Sequence, residues 1–104
     1  MAATGQQYTT VFTASTAGGV VSFYDNNSTG IVVNATYVRI ENTGASDGFY
    51  VRLGSTTATT SDWRIIAGSS SAWEVYASPG HYWDKFAYTT TASAAPGGRV
   101  IALR

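Results

Sequence analysis

Apolar and polar residues alternate with period two along most of the chain. Val38 and Ile40 occupy one phase of a segment whose other phase holds Tyr37, Arg39 and Glu41. In the next segment Phe49, Val51 and Leu53 oppose Tyr50 and Arg52, and further on Trp73 and Val75 oppose Glu74 and Tyr76. Successive side chains of a strand point to opposite faces, so each segment offers one apolar and one polar face, as in antiparallel sheets packed on one side. No stretch long enough for a helix repeats its apolar residues at the helical spacing. Gly, Asn-Asn, Asp-Gly and Pro-Gly punctuate the pattern and divide it into eight strands, at roughly 7–14, 18–25, 31–42, 48–54, 62–67, 71–77, 83–90 and 98–104.

The turns carry their own chemistry. Asn42-Thr43-Gly44 through Asp47-Gly48 reads as a hairpin loop between two well-patterned strands. Ser78-Pro79-Gly80-His81 has Pro where φ must lie near −65° and Gly where it must be positive, which predicts a type II turn. Thr89 to Gly98 reads as a surface loop. Ile31-Val32-Val33 and Val100-Ile101-Ala102-Leu103 depart from the one-sided pattern, being apolar in both phases. Such strands need cover on both sides, from the N-terminal segment or from a neighbouring subunit. The expectation is an all-β fold: an antiparallel β-sandwich of about eight strands, jelly-roll-like, with a small barrel as the alternative. Residues 1–104 form one domain in this reading, with 1–6 as an N-terminal arm.

Composition sharpens the picture. Only 12% of the residues are charged and the net charge is zero, while there are 15 Thr, 11 Ser and 11 Gly. Thr and aromatics suit pleated, half-buried surfaces, and Gly and Ser suit turns. A neutral chain lacks the basic surface on which nucleic-acid binding rests. No apolar run approaches a membrane span, and the polar stretch Met1 to Tyr8 does not read as a signal peptide. With no Cys there is no thiolate chemistry, and the one His excludes a metal site built on two imidazoles of one chain.

Candidate catalytic and metal motifs fail on inspection. Asp25-Asn26-Asn27-Ser28-Thr29-Gly30 starts like a calcium loop, but Thr29 breaks the pattern and Thr36 stands where a bidentate Glu is needed. It reads as an Asn-rich turn. The Asn-x-Ser/Thr matches at Asn26, Asn27 and Asn34 are expected by chance in so Ser/Thr-rich a chain. Ser78, His81 and Asp84 allow a triad to be imagined, but nothing marks a strained nucleophile turn or an oxyanion hole. The carboxylates are scattered without the pairing that acid–base work requires. The expectation is a protein that is not an enzyme and holds no cofactor or metal.

The outward phases are more informative. Tyr37, Tyr50 and Tyr76 stand there beside Arg39, Arg52 and Glu74, and the closing strand adds Ile101 and Leu103. Such a surface fits sugar stacking, a protein interface, or ordinary cross-strand pairing. Five Arg against one Lys favours the interface, where Arg is enriched and Lys depleted. The interface residues expected are Tyr37, Arg39, Tyr50, Arg52, Tyr76, Ile101 and Leu103.

Val38-Arg39-Ile40-Glu41-Asn42-Thr43-Gly44, then Gly48-Phe49-Tyr50-Val51-Arg52-Leu53-Gly54, then Asp62-Trp63-Arg64-Ile65-Ile66-Ala67-Gly68, resembles small β-sandwich structural proteins of tailed bacteriophages. These include head decoration (cement) proteins and tail or fibre accessory domains. The match spans roughly residues 38–68 and consists mostly of strand-and-turn grammar. The resemblance implies a non-enzymatic virion component, a homotrimer that binds the major capsid protein and stabilises the head lattice. A carbohydrate-binding or host-attachment module of a phage tail is the alternative.

Overall fold

A computed structural model describes residues 7–24, 31–44, 47–66, 72–91 and 95–104. The strands, in chain order, are β1 (Gln7–Thr13), β2 (Gly19–Ser22), β3 (Tyr37–Asn42), β4 (Phe49–Leu53), β5 (Trp63–Ile65), β6 (Ala72–Tyr76), β7 (Lys85–Thr89) and β8 (Gly97–Leu103). Each falls inside or within a residue of an expected segment. The N-terminal arm at 1–6 and the Asp25–Gly30 turn lie outside the described residues.

Two four-stranded antiparallel sheets form, in the orders β1-β8-β3-β6 and β2-β7-β4-β5. This is the double-sheet jelly-roll arrangement, in which nearly every neighbour in space is distant in sequence. Only β4 and β5 are both paired and consecutive. The inward phases meet between the sheets. Val38, Ile40, Val100 and Ala102 come from the first sheet; Val21, Phe49, Val51, Ile65 and Phe86 come from the second. Phe12 on β1 reaches across the sandwich, its ring 5.4 Å from Phe49, 5.2 Å from Phe86 and 5.3 Å from Tyr88. On the opposite flank Trp63 of β5 stacks on Trp73 of β6 at 5.6 Å and 23°, joining the two edge strands. Edge-to-face and offset aromatic contacts of this kind add about 0.5–1.5 kcal/mol each beyond area burial.

Two local expectations need correction. The segment Asn42 to Gly48 is not a hairpin loop: β3 pairs with β8 and β6, whereas β4 pairs with β7 and β5. The chain therefore crosses from one sheet to the other there, and Asn42 is buried at the crossing. The third strand is also shorter than 31–42. Residues 31–36 join no ladder: their strand-like pairings are the isolated bridges of Val32 to Tyr24 and Ala35 to Trp83. That run leads from the Phe23 carbonyl, which accepts from Val33 N at 2.8 Å, to the Leu103 carbonyl, which accepts from Thr36 N at 2.8 Å. A segment passing between sheets cannot keep one ladder. Of Ile31, Val32 and Val33 only Val33 is buried, while Ile31 and Val32 are exposed.

The expected turn at Ser78–His81 forms. His81 N donates to Ser78 O at 2.9 Å, and Gly80 has φ of 85°, the left-handed region a type II turn requires at that position. Ser78 and His81 are both exposed. Asp84 pairs with Lys85 at 3.7 Å, and no side-chain hydrogen bond joins the three imagined triad members among the described residues.

Candidate interaction face

The register of the first sheet sets its outward side chains in rows. One row runs Gln7, Leu103, Tyr37, Tyr76; the next runs Thr9, Ile101, Arg39, Glu74; a third runs Val11, Arg99, Glu41, Ala72. Five of the seven expected interface residues (Tyr37, Arg39, Tyr76, Ile101 and Leu103) therefore share one face. Tyr50 and Arg52 do not. They stand on the outer side of the second sheet, where Tyr50 faces Arg64 and Thr89 and Arg52 faces Ala87. Ala87 is in the outward phase of β7 yet fully buried, set between Val20 of β2 and Arg52 of β4.

On the first face the apolar groups lie open. Val11 is 72% and Tyr76 75% exposed, while Ile101 and Leu103 are half-buried between the flanking strands. Tyr37 and Tyr76 pack ring to ring at 4.9 Å. Tyr37 Oη donates to Glu74 Oε2 at 2.6 Å, a short charge-assisted bond. Glu41 stands between two arginines, 3.8 Å from Arg39 Nη1 and 3.7 Å from Arg99 Nη1. Exposed pairs at such distances contribute little to folding. Their effect is to fix the orientation of the guanidinium groups and leave the face electrically balanced. Glu41 and Glu74 are legible in the sequence as outward residues but not as interface residues, and Val11 and Arg99 are not singled out by it. The alternation within β1 and β8 assigns their phase, but only the pairing of β1, β8, β3 and β6 puts them side by side.

The bond to Glu74 has a titration consequence. It is the largest cause that raises the Tyr37 pKa from 10.0 to about 12, followed by partial burial and the nearby carboxylate charge. The folded state thus holds the phenol proton more tightly than the unfolded chain does. The resulting stability is complete below pH 10 and is lost as pH rises through about 12. Tyr37→Phe should therefore flatten the alkaline fall in melting midpoint over that window, and a spectrophotometric titration should show one phenol fewer ionising late.

No family model matches the chain, and no curated protein matches it. Similarity to solved structures does appear. A structure of Bacillus endospore appendages, described as a family of disulfide-linked pili, superposes with a TM-score of 0.56 at 15% identity, covering 95% of this chain and 82% of that one. PirA gives a TM-score of 0.48 at 15% identity, covering 93% of this chain and 94% of that one. PliG of Aeromonas hydrophila, a periplasmic inhibitor of g-type lysozyme, gives 0.47 at 13% identity, covering 99% and 89%. At such identity the likeness to the appendage protein shows a shared fold. The present sequence has no Cys, so these residues can make no disulfide link.

Proposed function

We propose that this chain is a non-enzymatic structural subunit that works by docking the outer face of its first sheet against copies of itself. In its most specific form it is a homotrimeric decoration protein on the head of a tailed bacteriophage, seated on the major capsid protein. The observation that carries the reading is the convergence of Tyr37, Arg39, Tyr76, Ile101 and Leu103 on one open sheet face. Tyr and Arg are the residues that anchor protein interfaces, and the face holds no Lys. Its two arginines and two carboxylates are balanced, so three copies of the face can be gathered about a threefold axis without net repulsion. The jelly-roll topology, which recurs in viral capsid proteins, and the phage-like stretch at 38–68 support the virion setting.

Sedimentation velocity at micromolar concentration tests this. The wild type should sediment as three chains, and Ile101→Asp should return it to a folded 11.0 kDa monomer. Arg52→Ala, on the other sheet, should leave the oligomer unchanged. A wild type that stays monomeric up to the highest soluble concentration overturns the reading.

A further inference from the structure

The second sheet carries a different feature. Between the β1–β2 turn and the β4–β5 connection lies a cleft of about 230 Å³, lined by Ala17, Gly18, Gly19, Thr56, Thr57, Ala58, Tyr88 and Thr89. It is smaller than the ~300 Å³ at which pockets for drug-sized ligands begin, which fits one small ring.

Its shape follows from Gly19 and Tyr88, which face each other across β2 and β7. A Cβ at Gly19 would lie 2.4 Å from Tyr88 Oη and 2.6 Å from Cζ, so only glycine lets the phenol pass over the strand. The ring is held from behind by Phe12 and Phe86. Its hydroxyl lies over Gly19, and Thr56, Thr57 and Thr89 complete the hydroxyl-bearing part of the lining. None of these four hydroxyls is engaged in a hydrogen bond among the described residues. The Ser55 side chain holds the neighbouring backbone in place: its Oγ donates to Thr57 O at 3.0 Å and accepts from Thr57 N at 3.1 Å.

The lining selects a chemistry. No Asp, Glu, Lys, Arg or His lines the cleft, so neither an anion nor a cation finds a counter-charge. An apolar ligand would strip water from a lining of threonine, tyrosine and main-chain polar groups and return no hydrogen bond, which is unfavourable. A neutral ligand bristling with hydroxyls satisfies them, since each lining hydroxyl can both donate and accept. We propose that this cleft binds a single sugar residue of a neutral glycan, independently of the docking face on the first sheet.

A titration of the ¹⁵N-labelled protein with glucose, galactose, mannose and N-acetylglucosamine, each to tens of millimolar, tests it by amide chemical shifts. At least one sugar should move the amides of Gly18, Gly19, Thr57, Ala58 and Thr89 along a saturable curve. Tyr88→Phe keeps the ring and removes one hydroxyl, and should weaken that sugar about fivefold, the worth of one hydrogen bond. Thr57→Val should act similarly and serves as the second variant. The proposal is overturned if none of the four sugars produces saturable shifts. It is equally overturned if the shifts centre elsewhere, such as at Trp63, or if folded Tyr88→Phe binds as the wild type does.

Discussion

Val100→Asp should prevent folding, while Ile101→Asp, one residue along, should leave the melting midpoint within a few degrees of wild type. Val100 is fully buried, sits between Thr10 of β1 and Ile40 of β3, and points into the space between the sheets. A carboxylate there has no cation within reach, and an unpaired buried charge destabilises by about 5 kcal/mol or more. A domain of this size holds only about 5–15 kcal/mol in total. Ile101 is half-buried, faces the other way and stands opposite Arg39, which gives an aspartate a partner in the cross-strand position. The expected loss is within about 1 kcal/mol. Circular dichroism melts of both variants decide the matter. A folded Val100→Asp would mean that β8 is not the buried strand described above, and an unfolded Ile101→Asp would mean that the outer face belongs to the folding core and is not a surface on which folded chains dock.

Removing the buried asparagine at the sheet crossing should be nearly as damaging. Asn42 is 1% exposed and uses its amide fully. Its Nδ2 donates to Asp47 O at 2.8 Å and to Ile65 O at 3.2 Å, and its Oδ1 accepts from Gly44 N at 2.8 Å. One side chain thus ties the end of β3 to its own loop and to β5 in the other sheet. Asn42→Leu keeps the volume but leaves two carbonyls and an N–H without that partner. Each such orphan is unfavourable by about 1–3 kcal/mol where water cannot reach it, and part of the site is solvent-near. A total of about 3 kcal/mol is expected, a fall of roughly 10–25 °C in midpoint. Asn42→Asp should be at least as harmful, because its oxygen would face two carbonyl oxygens. If Asp is tolerated and Leu is not, the amide donations are not what holds the crossing.

The sequence is most legible where the physics is local. Alternation within β3, β4 and β6 assigns every inward and outward residue correctly, because a strand's period is two whatever it pairs with. It even puts Asn42 in the inward phase with Val38 and Ile40, a sign of the buried polar bridge that turn grammar disguised. Asn-Thr-Gly followed by Asp-Gly serves a hairpin and a sheet-to-sheet crossing equally well, since both need the same backbone reversals. Pairing is the illegible part. That Tyr37 and Tyr76 share a face, and that Tyr50 does not, depends on contacts between residues tens of positions apart. The cleft is hidden for the same reason: Gly19 and Tyr88 are unremarkable until β2 lies beside β7.

The order of the first sheet also bears on when the molecule can fold. Its second strand, β8, is the one made last of the eight; β1 takes its sheet partner from it, and β3 one of its two. At about 5–20 residues per second of synthesis, β1 waits roughly 5–20 s on the ribosome with its ladder unfilled. Throughout that interval Phe12 and Tyr8 lack the strand that fixes their orientation. Nascent chains halted before Gly97 should therefore be digested by protease at all lengths, and protection should arrive in one step once Leu103 has cleared the exit tunnel.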